Sequence, residues 1–137
     1  MSTIHETRIA VPPVKTREIT LFGDVQISAS GDLAAGTVAD WIDAPGDVAR
    51  LIVRTEHLDW HGRPRIVERC TLPITASARV DRIITDLAII EFEENRPGER
   101  TLVLRELAPG VSIATVVEAT GALLRIPPEL IRPGSTL

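Results

Sequence analysis

Leu51-Ile52-Val53 is an unbroken apolar run of strand-forming residues. A strand with one wet face alternates apolar and polar side chains. A continuous run therefore suits a strand covered on both faces, as in a parallel sheet packed beneath helices. Further along, Leu87-Ala88-Ile89-Ile90-Glu91-Phe92 begins apolar and ends half polar, and Thr101-Leu102-Val103-Leu104 follows after Asn95-Arg96-Pro97-Gly98. The turn residues between two such runs predict a hairpin. A doubly apolar first strand beside half-polar later ones predicts a mixed sheet, with Leu51 to Val53 central and the hairpin at one edge.

The segments around this frame are shorter. After Pro109-Gly110, Ser112 is placed to cap a helix that buries Ile113, Val116 and Val117, with Gly121 as its C′ residue. Leu58 to Arg65 reads as a turn, and Ile66 to Thr75 as extended chain broken at Pro73. Ile19 to Phe22 and Val25-Gln26-Ile27 read as short strands, and Ser28 to Asp32 as a turn in which Gly31 takes a positive φ. Thr37 is a helix N-cap candidate ahead of Val38, Trp41 and Ile42, and Pro45-Gly46 ends that helix. Residues 1–17 read as a polar arm, 18–126 as the domain, and 127–137, with Pro127, Pro128 and Pro133, as a tail. The class is α/β, with a mixed, mostly parallel sheet flanked by helices.

Composition narrows the function classes. The 137 residues are 44% hydrophobic and 25% charged, which argues for a folded domain rather than a disordered chain. Aromatics are 3%, so the core must come from Val, Ile, Leu and Ala. A net charge of −4, with arginines scattered among acids, argues against nucleic-acid binding. A single cysteine, Cys70, cannot form an internal disulfide. The longest apolar runs are too short to cross a bilayer, and nothing near the start reads as a signal peptide, so a cytoplasmic protein without membrane contact is the expectation.

Several stretches resemble a known family in order and spacing. They are Thr55-Glu56-His57, Arg69-Cys70-Thr71-Leu72-Pro73-Ile74-Thr75, Val80-Asp81-Arg82-Ile83-Ile84-Thr85-Asp86-Leu87-Ala88, Leu104 to Val111 and Glu118-Ala119-Thr120. An earlier block joins them, Thr20 to Ser28 followed by Gly31-Asp32-Leu33-Ala34. Together they resemble the end of the small (beta) subunit of 3-oxoacid CoA-transferases, of the succinyl-CoA:3-ketoacid type, over most of residues 19–126. The resemblance implies the layered fold of that superfamily, here incomplete. It implies acyl-CoA as substrate with no further cofactor, and a partner that is either the large (alpha) subunit or a second copy. It also implies a reaction in which a small-subunit glutamate attacks the acyl-CoA and passes through an anhydride to a glutamyl-CoA thioester.

Two departures bear on that chemistry. The family carries the glutamate in a Ser-Glu-Asn-Gly motif, and those four residues occur in sequence nowhere in this chain. The family also has a Gly-Met-Gly-Gly-Ala-Met-Asp stretch whose amides can stabilise an oxyanion. Here Ala35 to Val48 holds only Gly36 and Gly46. The expectation is a family member without its nucleophile or Gly-rich loop. The alternative is a non-catalytic assembly or binding module that keeps the subunit interface.

No residue is assigned a catalytic or metal-binding role. The resemblance puts Gln26, Gly31, Glu56 and His57 along the substrate site. Gln26 reads equally as an ordinary strand amide. Glu56-His57 follows the Leu51 to Val53 strand, where α/β sheets place ligands, but the pair reads more simply as local hydrogen bonding. Glu18 precedes a strand, whereas the family's glutamate follows one. Cys70 has apolar or neutral neighbours on its C-terminal side and reads as a structural thiol. His57 and His61 are four apart, but in a turn holding Gly62 and Pro64, which does not suit zinc. Asp81-Arg82 and Asp86 read as turn and cap chemistry with a local ion pair.

Overall fold

The doubly apolar run does become a buried strand with parallel neighbours. The structure is a computed structural model that describes residues 16–35 and 50–131. Its strands are β1 (Thr16–Thr20), β2 (Gln26–Ser28), β3 (Leu33–Ala34), β4 (Arg50–Arg54), β5 (Ile66–Val67), β6 (Val80–Ile84), β7 (Ala88–Arg96), β8 (Glu99–Leu107) and β9 (Leu124–Arg125). A helix α1 (Ile113–Glu118) precedes β9, and a 3-10 turn spans Pro128–Leu130. The helix expected after Thr37 lies outside the described residues, as do residues 1–15 of the arm and 132–137 of the tail.

The strands form two sheets rather than one. The larger runs β1-β4-β6-β7-β8-β9, and the smaller runs β3-β2-β5. In the larger sheet β1, β4 and β6 are mutually parallel, β7 and β8 run antiparallel, and β9 returns parallel to β8. The sheet is therefore mixed, as expected. Leu51, Ile52 and Val53 are all buried on β4, which explains why that strand carries no polar alternation. Each such side chain removed from water contributes roughly 1.5–3 kcal/mol.

Two expectations about position need correction. β4 is interior but second in the order, not central. The hairpin does not form an edge, because β9 adds outside β8 through Leu102 opposite Leu124 and Val103 opposite Arg125. A two-residue strand is too short to show a periodicity of its own. The hairpin is also longer than its apolar residues indicate. Both strands run nine residues to the Pro97-Gly98 turn, so Asn95 and Arg96 extend β7. β1 starts at Thr16, where it pairs with Arg50 of β4.

Between β4 and β6 the register shifts after Leu51. Asp81 occupies the irregularity: its Oδ2 accepts the Leu51 amide at 2.8 Å, and its Oδ1 accepts Arg100 Nη2 at 3.2 Å. Arg100 also reaches over the Ser28–Asp32 turn. Gly31 has φ +92, and a Cβ there would lie 2.2 Å from Arg100 Nη1. That close approach, with the positive φ, is why glycine occupies the turn. On one face of the large sheet Glu91 pairs with Arg82 and Arg105, and Glu93 with Arg105 and Arg125.

α1 begins as expected, with the Thr115 amide donating to Ser112 Oγ at 3.2 Å. Ile113 and Val116 are buried, but Val117 is 46% exposed. A helix of under two turns presents only a narrow stripe to the sheet, and Val117 falls beside it. Gly121 is not a positive-φ terminator. Its amide donates to the Ile66 carbonyl at 2.8 Å, and a Cβ would meet that oxygen at 2.9 Å. It is small because the chain after α1 passes hard against β5, tying the helix to the small sheet.

Candidate functional site

The small sheet and the loops around it frame a cleft of about 420 Å³. One wall is Gly23 to Gln26, ahead of and entering β2. The opposite wall is the Asp59–Arg65 turn, and Thr71 and Leu72 close the end. The turn is held by Asp59, whose Oδ1 accepts the amides of His61 at 2.8 Å and Arg63 at 2.9 Å. The backbone bond from Arg63, more than that from His61, holds the Asp59 carboxyl below its usual value, against a smaller opposing effect of burial. Asp59 therefore stays charged and occupied.

Gln26 braces the end wall. Its Oε1 accepts the amides of Thr71 at 2.7 Å and Leu72 at 3.0 Å, and its Nε2 donates to Thr71 Oγ1 at 2.9 Å. Among the four residues placed along the substrate site by resemblance, Gln26 alone is one of those that line this cleft. Glu56 is exposed on the chain leaving β4. Gly31 lies under Arg100, at the turn between β2 and β3.

His57 is fully buried behind the cleft. Its amide donates to Asp86 Oδ1 at 2.8 Å, Nδ1 meets Thr85 Oγ1 at 2.8 Å, and Nε2 meets Thr120 Oγ1 at 2.9 Å. The proton positions follow from the partners. Thr120 donates its hydroxyl to the Val116 carbonyl at 2.6 Å, so its oxygen accepts from Nε2–H. Thr85 Oγ1 already accepts the amides of Leu87 and Ala88, and its hydroxyl has two acceptors in reach, Nδ1 at 2.8 Å and the Ala88 carbonyl at 3.3 Å, of which the shorter contact is to the ring. That is a neutral imidazole with both nitrogens used. Burial pushes its pKa down, and nearby Asp86 only partly offsets this. His61 instead is exposed and stacked on Trp60 with ring centroids 4.1 Å apart, so the two histidines do not share a site.

Cys70 is half-buried, with Sγ 3.9 Å from the Gln26 carbonyl and 3.8 Å from that of Asp32. Burial first, and the Asp32 charge second, push its thiol up, which suits a structural rather than a nucleophilic sulfur. Glu18 on β1 is ion-paired with Arg54 on β4 at 3.0 Å. Among the described residues no cluster of His, Cys, Asp and Glu gathers to hold a metal ion.

Sequence reading passed over Arg65. It is 5% exposed, lines the cleft, and donates Nη1 to the Gly23 carbonyl. Its Nε–H is buried with no acceptor. The available signal was a charged residue between Pro64 and a strand beginning with Ile66, a position where burial is expected.

No family model matches the chain. It is 35% identical over 122 residues to the beta subunit of a probable coenzyme A transferase of Bacillus subtilis, covering 80% of this chain and 52% of the relative. It is 32% identical over 113 residues to one subunit of a probable succinyl-CoA:3-ketoacid coenzyme A transferase of the same species, covering 77% and 50%. The chain thus spans about half the length of these relatives. In structure it resembles an acyl-CoA transferase of Escherichia coli O157:H7, with TM-score 0.63 and 16% identity over 84% of this chain and 27% of that one. It also resembles the decarboxylase AibA/AibB, with TM-score 0.53 and 19% identity over 82% and 48%. These structures define the fold as that of the CoA-transferases, and a decarboxylase shares it, so fold alone does not fix the reaction. The sequence relatives go further: over about four-fifths of its length the chain is similar to the small, beta-type subunits of coenzyme A transferases.

Proposed function

We propose that this chain serves CoA transfer between an acyl-CoA and a 3-oxoacid as a small-subunit domain that does not itself supply the nucleophile. One observation carries the reading: the cleft is lined by Asp24 and Asp59 but by no glutamate among the described residues. The described glutamates nearest in sequence to the family's pattern are committed or displaced. Glu18 is paired with Arg54, and Glu56 is exposed beyond β4 rather than at the cleft. With the Ser-Glu-Asn-Gly and Gly-rich motifs absent from these 137 residues, no glutamate among the described residues is placed at the cleft to form the thioester. In this reading the reacting glutamate lies outside these 137 residues, with the large subunit or a second copy as partner and the cytoplasm as the setting.

A second reading, a non-catalytic assembly module, is favoured by exposed Phe22, Trp60 and Leu123 and by the edge of β1, which no described strand covers. Both readings expect the isolated chain to be inactive with succinyl-CoA and acetoacetate. Incubation with acyl-CoA and borohydride, which reduces a protein thioester, should leave every glutamate unmodified by peptide mass. A modified peptide containing Glu18 or Glu56 would overturn both readings and name a nucleophile. Restored transfer on adding a large subunit and a nucleophile-bearing chain would select the first.

A further inference from the structure

We propose that Trp60 and the cleft beside it form a two-fold contact between copies of this chain, the indole of each copy seated in the cleft of the other. The inference goes beyond the proposed function, which names a second copy among its partners but assigns no contact. It rests on the geometry and charge of this one face.

Trp60 is 87% exposed, in a chain that has only two Trp and two Phe. Tryptophan is enriched among the few side chains that carry most of the energy of protein contacts. Here it stands on a tied turn. Leu58 bridges Pro64, the Asp59 amide donates to the Arg63 carbonyl at 2.8 Å, and the Gly62 amide donates to the Asp59 carbonyl at 2.9 Å. Asp59 Oδ1 takes the amides of His61 and Arg63, and the His61 ring lies against the indole. An anchor preset in this way gives up little freedom when it docks.

The receptor lies next to the anchor. Asp59 and Arg63, the feet of the turn, line the cleft of about 420 Å³, and Val25, Pro64, Val67 and Leu72 give it apolar wall. A cleft of that size accepts a small ring-bearing group. An indole left 87% exposed does not fill the cleft of its own copy. A two-fold contact brings the same patch of both copies together, so anchor and receptor must share one face. They do so here.

Charge selects a second copy as the occupant. Asp24 stands on one wall and Arg63 on the opposite wall, and both are exposed. Under a two-fold, Asp24 of each copy faces Arg63 of the other. A face of one sign would repel its own copy, whereas an acid and a base flanking the anchor complement themselves. Such rim pairs set register and partner choice, and the indole supplies most of the affinity.

Sedimentation of the full chain over a range of concentrations should show a reversible dimer. Trp60→Ala should weaken it by about thirtyfold or more. Asp24→Arg and Arg63→Asp should each weaken it too, by setting like charges against each other. Mixing those two variants should restore association, because the copy with two cations then meets the copy with two acids. A folding defect cannot produce that rescue. Should a variant fail to fold, the wild type decides: acrylamide quenching of its tryptophan fluorescence should fall as concentration rises through dimer formation. A monomer at every concentration, a dimer indifferent to Trp60→Ala, a charge-variant mixture that associates no better than either variant alone, or quenching that does not change would each overturn the inference. None of these outcomes touches the proposed function, whose own test is transfer activity and glutamate labelling.

Discussion

His57 and Arg65 are neighbours across the backbone, the Arg65 amide donating to the His57 carbonyl at 3.1 Å, and both side chains are buried. Their hydrogen-bond accounts differ. Both ring nitrogens of His57 are met by hydroxyls whose remaining groups are themselves used. Arg65 keeps one buried donor unmet and lies on the wall of a cleft. The difference separates structure from function. A closed polar network holds elements together, here β4's exit, the loop before β7 and the end of α1. An open one stores the capacity to bind something else. The Glu56-His57 motif drew attention in the sequence because it resembles a family pattern, yet its histidine works as a strut.

The largest effect is expected where a charge enters the interior with no partner at all. Val116 is fully buried under α1. Val116→Asp should lower unfolding stability by about 4 kcal/mol or more in urea, since it puts a carboxylate into the hydrophobic core cluster. A midpoint close to the wild type would mean that α1 does not pack as described, and with it that Thr120 does not hold His57.

Removing the strut comes next. His57→Leu preserves bulk but takes one hydrogen bond from each of the Thr85 and Thr120 hydroxyls, whose bonds to the Ala88 and Val116 carbonyls remain, and frees none of the surrounding backbone. A loss of about 2–4 kcal/mol is expected. Thermal unfolding should show it, and His57→Gln should recover part of it through its own amide.

The same closed network predicts a pH dependence. Burial lowers the His57 pKa from its ordinary 6.5. Below that value the unfolded chain takes a proton that the folded chain refuses, so stability is full above about pH 6.5 and falls as the pH drops toward the folded pKa. The slope from this one group cannot exceed about 1.4 kcal/mol per pH unit. Denaturation midpoints followed from pH 7 to about 5 should decline in the wild type and flatten in His57→Gln. Glu91 and Glu93 act lower. Burial pushes Glu91 up, but hydrogen bonds from Arg82 and Arg105 outweigh it. A hydrogen bond from Arg105 and then one from Arg125 hold Glu93 down against some burial. Their stabilisation is lost only below the ordinary carboxylate range near 4.5.

What the sequence disclosed follows from how local each signal is. Leu51 to Val53, the start of β7 and the Ser112 cap are written in adjacent residues, and all three appear in the structure. The small sheet was not legible, because β2, β3 and β5 run two or three residues each and owe their existence to pairing with distant segments. Asp81 looked like turn chemistry, and its work at the β4–β6 irregularity depends on Leu51, thirty residues away. At the site, Gln26 reached the cleft, but the state of His57 is decided by Thr85 and Thr120, 28 and 63 residues along. The orphaned Arg65 nitrogen is a property of what is missing around it, which no single residue records.

The smallest effect should come from Arg65 itself, and it completes the comparison. Arg65→Leu removes a buried cation together with its unmet donor and leaves a shorter apolar side chain. Replacing a poorly compensated buried charge with an apolar group is commonly neutral or stabilising. The one bond lost, to the Gly23 carbonyl, leaves an acceptor on an exposed residue that water can reach. Stability without ligand should therefore change by no more than about 1 kcal/mol in either direction. His57→Leu, a like change one hydrogen bond away, should cost several times more. A loss for Arg65→Leu as large as that for His57→Leu would show that Arg65 is a second strut and erase the distinction between the two.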